Sequence, residues 1–187
     1  SAIKKYAIAN GLQVLQPTNL KDPEFIKTIK ILSAELFVVV AFRMLPEVVW
    51  SIPKKGTINL HASLLPNYRG AAPINWAIIN GEKQTGVTTF FIEKEIDTGK
   101  IIHQKKVEIF EQDTAGTIHD KIMYEGANLL IQTIDSLSIR KNPSIDQQSM
   151  IDYELKRAPK INKQTGRIQW DKPKKIVNNL IRGLSPY

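Results

Sequence analysis

Leu36-Phe37-Val38-Val39-Val40-Ala41-Phe42 is the longest unbroken apolar run in the chain, and it limits the fold more than any other stretch. Seven valine-rich residues are too short to span a bilayer and read as a strand buried on both faces. Asp22-Pro23 ahead of it is a helix start, a capping carboxylate followed by proline in the first turn. Phe25, Ile26, Ile29 and Leu32 then repeat at the helical period. Further upstream, Ile3, Tyr6, Ala7 and Leu12 share a helical face up to Gly11, and Val14-Leu15 reads as a short strand. Strand, helix and strand at this spacing predict a doubly wound, mostly parallel α/β sheet.

The same alternation continues. Thr57 to His61 reads as a strand, 62–72 as a loop, and Pro73 as the first turn of a helix running to about Asn80. Val87 to Ile92 and Ile101 to Ile109, separated by the Asp97-Thr98-Gly99 turn, read as a hairpin-like pair of strands. Asp113-Thr114 opens a long helix with Ile118, Ile122, Leu129, Leu130, Ile134 and Leu137 on its apolar face. From Arg140 the periodicity is lost, so the compact domain is expected to cover 1–140 and a basic connector 141–187.

Net charge is +8, and residues 151–187 carry +6 of it, with nine Lys/Arg against three acids. Such an end either steers toward a polyanion or is a solvated tail. The chain has no cysteine, which excludes disulfides and thiol chemistry and is compatible with a reducing cytoplasm. Gly-x-Gly-x-x-Gly is missing, and Lys94 stands where a phosphate loop ending at Gly99-Lys100 needs glycine. His61, His103 and His119 have no metal-ligand spacing, so no metal is expected; His103 and His119 read as structural or surface residues.

Ligands of parallel sheets lie beyond the carboxyl ends of the strands. Asn59 and His61 are two apart near such an end, so their side chains leave the same face. An amide beside an imidazole can hold an oxyanion and exchange a proton, although single histidines more often pack or face solvent. Asp97 is either ordinary turn chemistry or a carboxylate of the site. Asp-Thr-Gly also marks aspartic proteases, but the helical signals argue against their all-β fold.

Ile58-Asn59-Leu60-His61-Ala62-Ser63-Leu64-Leu65-Pro66, Tyr68-Arg69-Gly70-Ala71-Ala72-Pro73-Ile74, Thr85-Gly86-Val87-Thr88 and Ile96-Asp97-Thr98-Gly99 together resemble the folate-dependent formyltransferases. The Arg-Gly-Ala-Ala-Pro block is most similar to the branch that acts on methionyl-tRNA, and the likeness extends to Arg167-Ile168-Gln169-Trp170 and Arg182-Gly183-Leu184-Ser185-Pro186-Tyr187. The resemblance implies a Rossmann-like fold, 10-formyltetrahydrofolate as donor, and the amino group of methionyl initiator tRNA as acceptor in the cytoplasm. It implies that Asn59 and His61 stabilise a tetrahedral oxyanion, and that Asp97 keeps His61 in its useful protonation state and takes the amine proton through water. It further implies that Ser63, Leu64, Leu65 and Pro66 shape the wall near the donor. Residues 40–44, among them Val40, Phe42 and Met44, would line a pterin pocket through backbone groups.

The family also has an N-terminal strand–helix–strand unit and a C-terminal β-barrel that this chain does not match. Residues 1–187 are therefore expected to be marginal alone, to associate with themselves, or to cover the gap by rearrangement. Two alternatives remain: an amino-sugar nucleotide as acceptor, and a non-catalytic RNA-binding fragment.

Overall fold

Asp22 caps its helix as the sequence predicts. Its Oδ1 accepts from the Phe25 N–H at 2.9 Å, and α2 runs over Pro23–Ile31 with Ile29 buried. The computed structural model describes residues 2–41, 44–139 and 144–186. Helix α1 (Ala2–Ala9) precedes α2, and the strand expected at Val14-Leu15 does not form. Two apolar residues between Gln13 and Gln16-Pro17 are too few to sustain a ladder, and proline removes one of its donors.

Next come β1 (Phe37–Val40), the single turn α3 (Glu47–Trp50), β2 (Thr57–His61), β3 (Arg69–Gly70), α4 (Pro73–Ile79), β4 (Gln84–Phe91) and β5 (Ile101–Glu108). Helix α5 (Ala115–Ser138), β6 (Arg157–Ala158) and α6 (Lys174–Leu184) complete the chain. The main sheet has the order β1-β2-β4-β5, with β1 and β2 parallel and β4 antiparallel to both β2 and β5. The expected α/β class and the hairpin pair both hold; the parallel part of this sheet is β1–β2. The expectation of a strand buried on both faces at 36–42 needs correction. Val38 and Val40 share the face of their partners Ile58 and Leu60, but α5 packs over β4 and β5, so among the described residues both valines are exposed while Phe37 and Val39 are half-buried.

Helix α5 covers one face of this sheet. Thr114 and Thr117 cap it reciprocally, each hydroxyl accepting the other's backbone N–H. Ile58 packs with Ile102 and Leu137, while Ala77, Ile78, Val87, Val107, Ile118, Ile122 and Leu129 form the larger cluster. Fully buried isoleucines such as 58, 78 and 118 each contribute roughly 1.5–3 kcal/mol.

Asp113, ahead of α5, is buried and accepts from the Phe110 N–H, Thr117 Oγ1 and Lys121 Nζ. Burial alone pushes its carboxyl up, but those hydrogen bonds and the Lys121 charge outweigh it, and the carboxyl sits below its ordinary value. The stabilisation is therefore complete above the unfolded value of about 3.9 and is lost as pH falls through the folded one. Asp113→Asn should cost about 1.5–3 kcal/mol near pH 7 and flatten the loss below pH ~4. Urea denaturation from pH 3 to pH 7 measures both.

Residues 144–186 lie across the domain instead of leaving it as a connector. Ile145 bridges Ile101, β6 pairs in parallel with β3, and α6 lies on α4, with the Asn75 amide donating to Gly183 O at 2.7 Å. Arg182 Nη1 donates to the carbonyls of Phe110 and Asp113. Val177, Leu180 and Leu184 give α6 its inner face, a periodicity that the surrounding lysines obscure.

Candidate functional site

Residues 58 and 60 turn toward α5, where Leu60 packs against the larger cluster, so Asn59 and His61 leave the opposite face of β2. Asn59 stands between Val39 of β1 and Phe90 of β4 and is half-buried. His61 is only 6% exposed, with its ring edge-on to Phe90 at 6.4 Å. Nε2 lies 2.9 Å from Tyr68 O. A carbonyl can only accept, so Nε2 carries the proton and Nδ1 is the nitrogen left for proton exchange. Asp97 Oδ2 faces that nitrogen at 3.7 Å, its side chain 12% exposed. The geometry thus brings together all three residues read as catalytic in the sequence.

Two backbone features hold this arrangement, and neither is evident from the sequence. Tyr68 has φ +61, which turns its carbonyl onto His61. Its hydroxyl donates to Glu82 at 2.5 Å, Lys156 pairs with the same carboxylate, and the Tyr68 N–H donates to Lys156 O at 2.6 Å. Burial first, and then the bond to Glu82, push the Tyr68 phenol above its ordinary value, so it remains a donor at working pH. Asp97 also sits in the left-handed region, at φ +56. Its carboxylate accepts from the Gly70 N–H at 2.9 Å. A glycine at 70 is required there, because φ is +126 and a Cβ would lie 2.4 Å from Ala158 O.

The residues expected to line the donor pocket divide. Ser63, Leu65 and Pro66 are buried in the turn after β2, which Thr88 and Gln104 hold by hydrogen bonds to Ser63 O, the Leu65 N–H and Leu65 O. Leu64 is half-buried. Val40, the last residue of β1, and Met44 are exposed apolar residues, and Phe42 lies outside the described residues. His103 bonds Thr133, and His119 is exposed beside Asp120. Among the described residues no three His, Asp or Glu side chains cluster as metal ligands, and no helix is long and apolar enough to cross a membrane. Tyr68 and Gly70 stand inside a motif that the sequence makes visible, but their backbone roles arise only in the folded chain. Gln147, described below, gives no sequence signal.

The formyl transferase family model matches residues 2–134. The chain belongs to the formyl transferase family. Relatives within it include the methionyl-tRNA formyltransferases of Azobacteroides pseudotrichonymphae, 56% identical over 189 residues, and of Bacteroides fragilis, 54% identical over 188. Both alignments take in 100% of this chain and 58% of the relative, so the chain spans less than two thirds of those proteins. Solved structures share the formyltransferase fold. A 4-N formyltransferase from Francisella tularensis has a TM-score of 0.77 at 22% identity, covering 100% of this chain and 74% of that one. A sugar N-formyltransferase from a Shewanella species gives 0.76 at 26%, covering 96% and 70%. A sugar 3N-formyl transferase crystallised with dTDP and 5-N-formyl-THF gives 0.77 at 22%, covering 97% and 62%.

Proposed function

We propose that this chain carries the reacting residues of an enzyme that transfers a formyl group from 10-formyltetrahydrofolate to the amino group of methionyl initiator tRNA in the cytoplasm. The observation that supports this most is the convergence of Asn59, His61 Nδ1 and the Asp97 carboxylate on one face of the sheet. The donor supplies an activated formyl carbon. The acceptor nitrogen bonds to that carbon, the carbon–N10 bond breaks, and the proton lost by the amine ends on N10.

This chain's part is to hold charge and move that proton. The Asn59 amide and His61 Nδ1–H donate to the oxyanion formed at the formyl oxygen, and such donors are typically worth about 2.7–4 kcal/mol each. Asp97 balances the imidazolium charge and receives the amine proton through water. The Tyr68 carbonyl keeps the other ring nitrogen out of the chemistry. Val40 and Met44 would line a planar heterocycle's pocket through their backbone groups, with Leu64 on its wall, while Ser63, Leu65 and Pro66 act through the shape of their turn. The high identity to methionyl-tRNA enzymes favours the tRNA acceptor, whereas an amino-sugar nucleotide finds support mainly in shared fold. The surplus of basic residues in 151–187 suits a nucleic-acid partner.

The test is formyl transfer by the full-length protein, with methionyl initiator tRNA and an amino-sugar nucleotide offered as competing acceptors. Transfer to tRNA is expected. Transfer only to the sugar overturns the acceptor, and transfer to neither overturns the reaction. A separate expectation follows from β1, whose outer edge is unpaired among the described residues and whose Val38 and Val40 are exposed on the adjoining sheet face. Residues 1–187 alone should associate as concentration rises, and a strict monomer in light scattering at millimolar concentration would refute that.

A further inference from the structure

Gln147 opens a short 3-10 turn (Gln147–Met150), far in sequence from every residue of the site, yet it is 1% exposed. The Ile101–Ile145 bridge brings the chain to this position, and Asp146 caps the turn by accepting from the Gln148 N–H. All four hydrogen-bonding capacities of the Gln147 amide are used. Oε1 accepts from Arg69 Nε at 3.1 Å and Nη2 at 2.6 Å, while Nε2 donates to Asp97 O at 3.0 Å and Gly99 O at 2.8 Å. Guanidinium groups only donate and carbonyls only accept, so the partners fix the amide's orientation.

No other side chain meets this demand at the same reach. Glutamate offers acceptors alone, lysine and arginine donors alone, and methionine only a weak sulfur acceptor. The two carbonyls that Nε2 holds flank the Asp97 turn, whose left-handed backbone persists only while its surroundings over-determine it. Gly99 is equally confined, since a Cβ there would lie 1.8 Å from Phe91 O. Arg69 in turn precedes Gly70, whose N–H holds the Asp97 carboxylate. The aspartate is thus fixed at both ends, its carboxylate by residue 70 and its main chain by residue 147.

We propose that Gln147 is a positioning residue of the site, setting the Asp97 carboxylate against His61 Nδ1. This rests on the reaction proposed above. Gln147→Glu keeps the pair with Arg69 but turns an oxygen on two carbonyl oxygens, and Gln147→Met removes all four bonds. Gln148→Ala, an exposed neighbour, is the control.

The experiment measures kcat, KM for donor and acceptor, melting, and the NMR titration of the His61 ring nitrogens, all in the full-length protein. Both Gln147 variants should lose about 100-fold in kcat, the size of effect that small misplacements of reacting groups produce, with both KM values unchanged. The His61 titration should move in both variants, and Gln148→Ala should match the parent throughout. Parental kcat with only a lower melting temperature, or a rise in KM without a fall in kcat, would overturn the proposal. So would a Gln147→Glu protein that does not fold, which would make the residue structural. If the parent itself transfers no formyl group, the reaction is misassigned, and the His61 titration still decides whether Gln147 positions the aspartate.

Discussion

Replacing His61 with alanine in the full-length protein should lower kcat for formyl transfer by about 10²–10⁴-fold, the usual worth of a positioned acid–base group. Binding of tRNA should persist, because charge-driven binding depends on lysines and arginines and weakens with salt whatever stands at position 61. The substitution removes the Nε2–H that satisfies Tyr68 O and empties the space against Phe90, so some stability is lost too. Melting curves separate the two losses. Asn59→Ala supplies the comparison. It leaves the His61–Tyr68 bond intact and should cost about 10²–10³-fold in kcat, the measured scale for one oxyanion donor. A His61→Ala protein that folds and turns over at the parental rate would end the proposed mechanism.

Gly70→Ala is the second large effect. The added methyl meets Ala158 O at 2.4 Å in a conformation with φ +126, so either β3 or β6 must shift. Overpacking costs typically about 1–3 kcal/mol, and the strained φ adds to it. For a domain of this size each kcal/mol lowers the melting temperature by roughly 2–4 °C. Activity should fall further than stability alone requires, since the Gly70 N–H is the donor to Asp97 Oδ2. Scanning calorimetry together with kcat below the new transition tests both parts. A protein with unchanged melting and unchanged kcat would show that β3 and β6 separate freely.

What could be read beforehand follows from the range over which each signal acts. The Asp22-Pro23 cap, the Pro73 helix start and the period of α5 are local, and all three helices form within a residue or two of expectation. Asn59 and His61 were legible because strand alternation fixes their common face, and Asp97 because its motif is shared by the family. Val14-Leu15 is too short an apolar pair before Pro17 to hold a strand, and the exposure of Val38 and Val40 depends on how far α5 reaches across the sheet, which the local sequence does not carry. β3 and β6 are two residues each and carry no period, so only the fold reveals their pairing. Gln147 stands in a polar stretch that looks like connector, and its role exists only in four long-range bonds.

The pairing of Arg69 with Arg157 joins positions 88 residues apart in the chain. As the polypeptide leaves the ribosome from its N-terminus, β2 and the turn bearing Asp97 emerge well before Gln147 and β6. Loops this long must close before their contacts give anything back, which places them late in folding. A nascent chain stalled near residue 140 would thus hold His61 and Asp97 but lack the strand and the amide that brace them. The bracing of the Asp97 turn would arrive after the sheet has formed, as a separate and later step in the protein's synthesis.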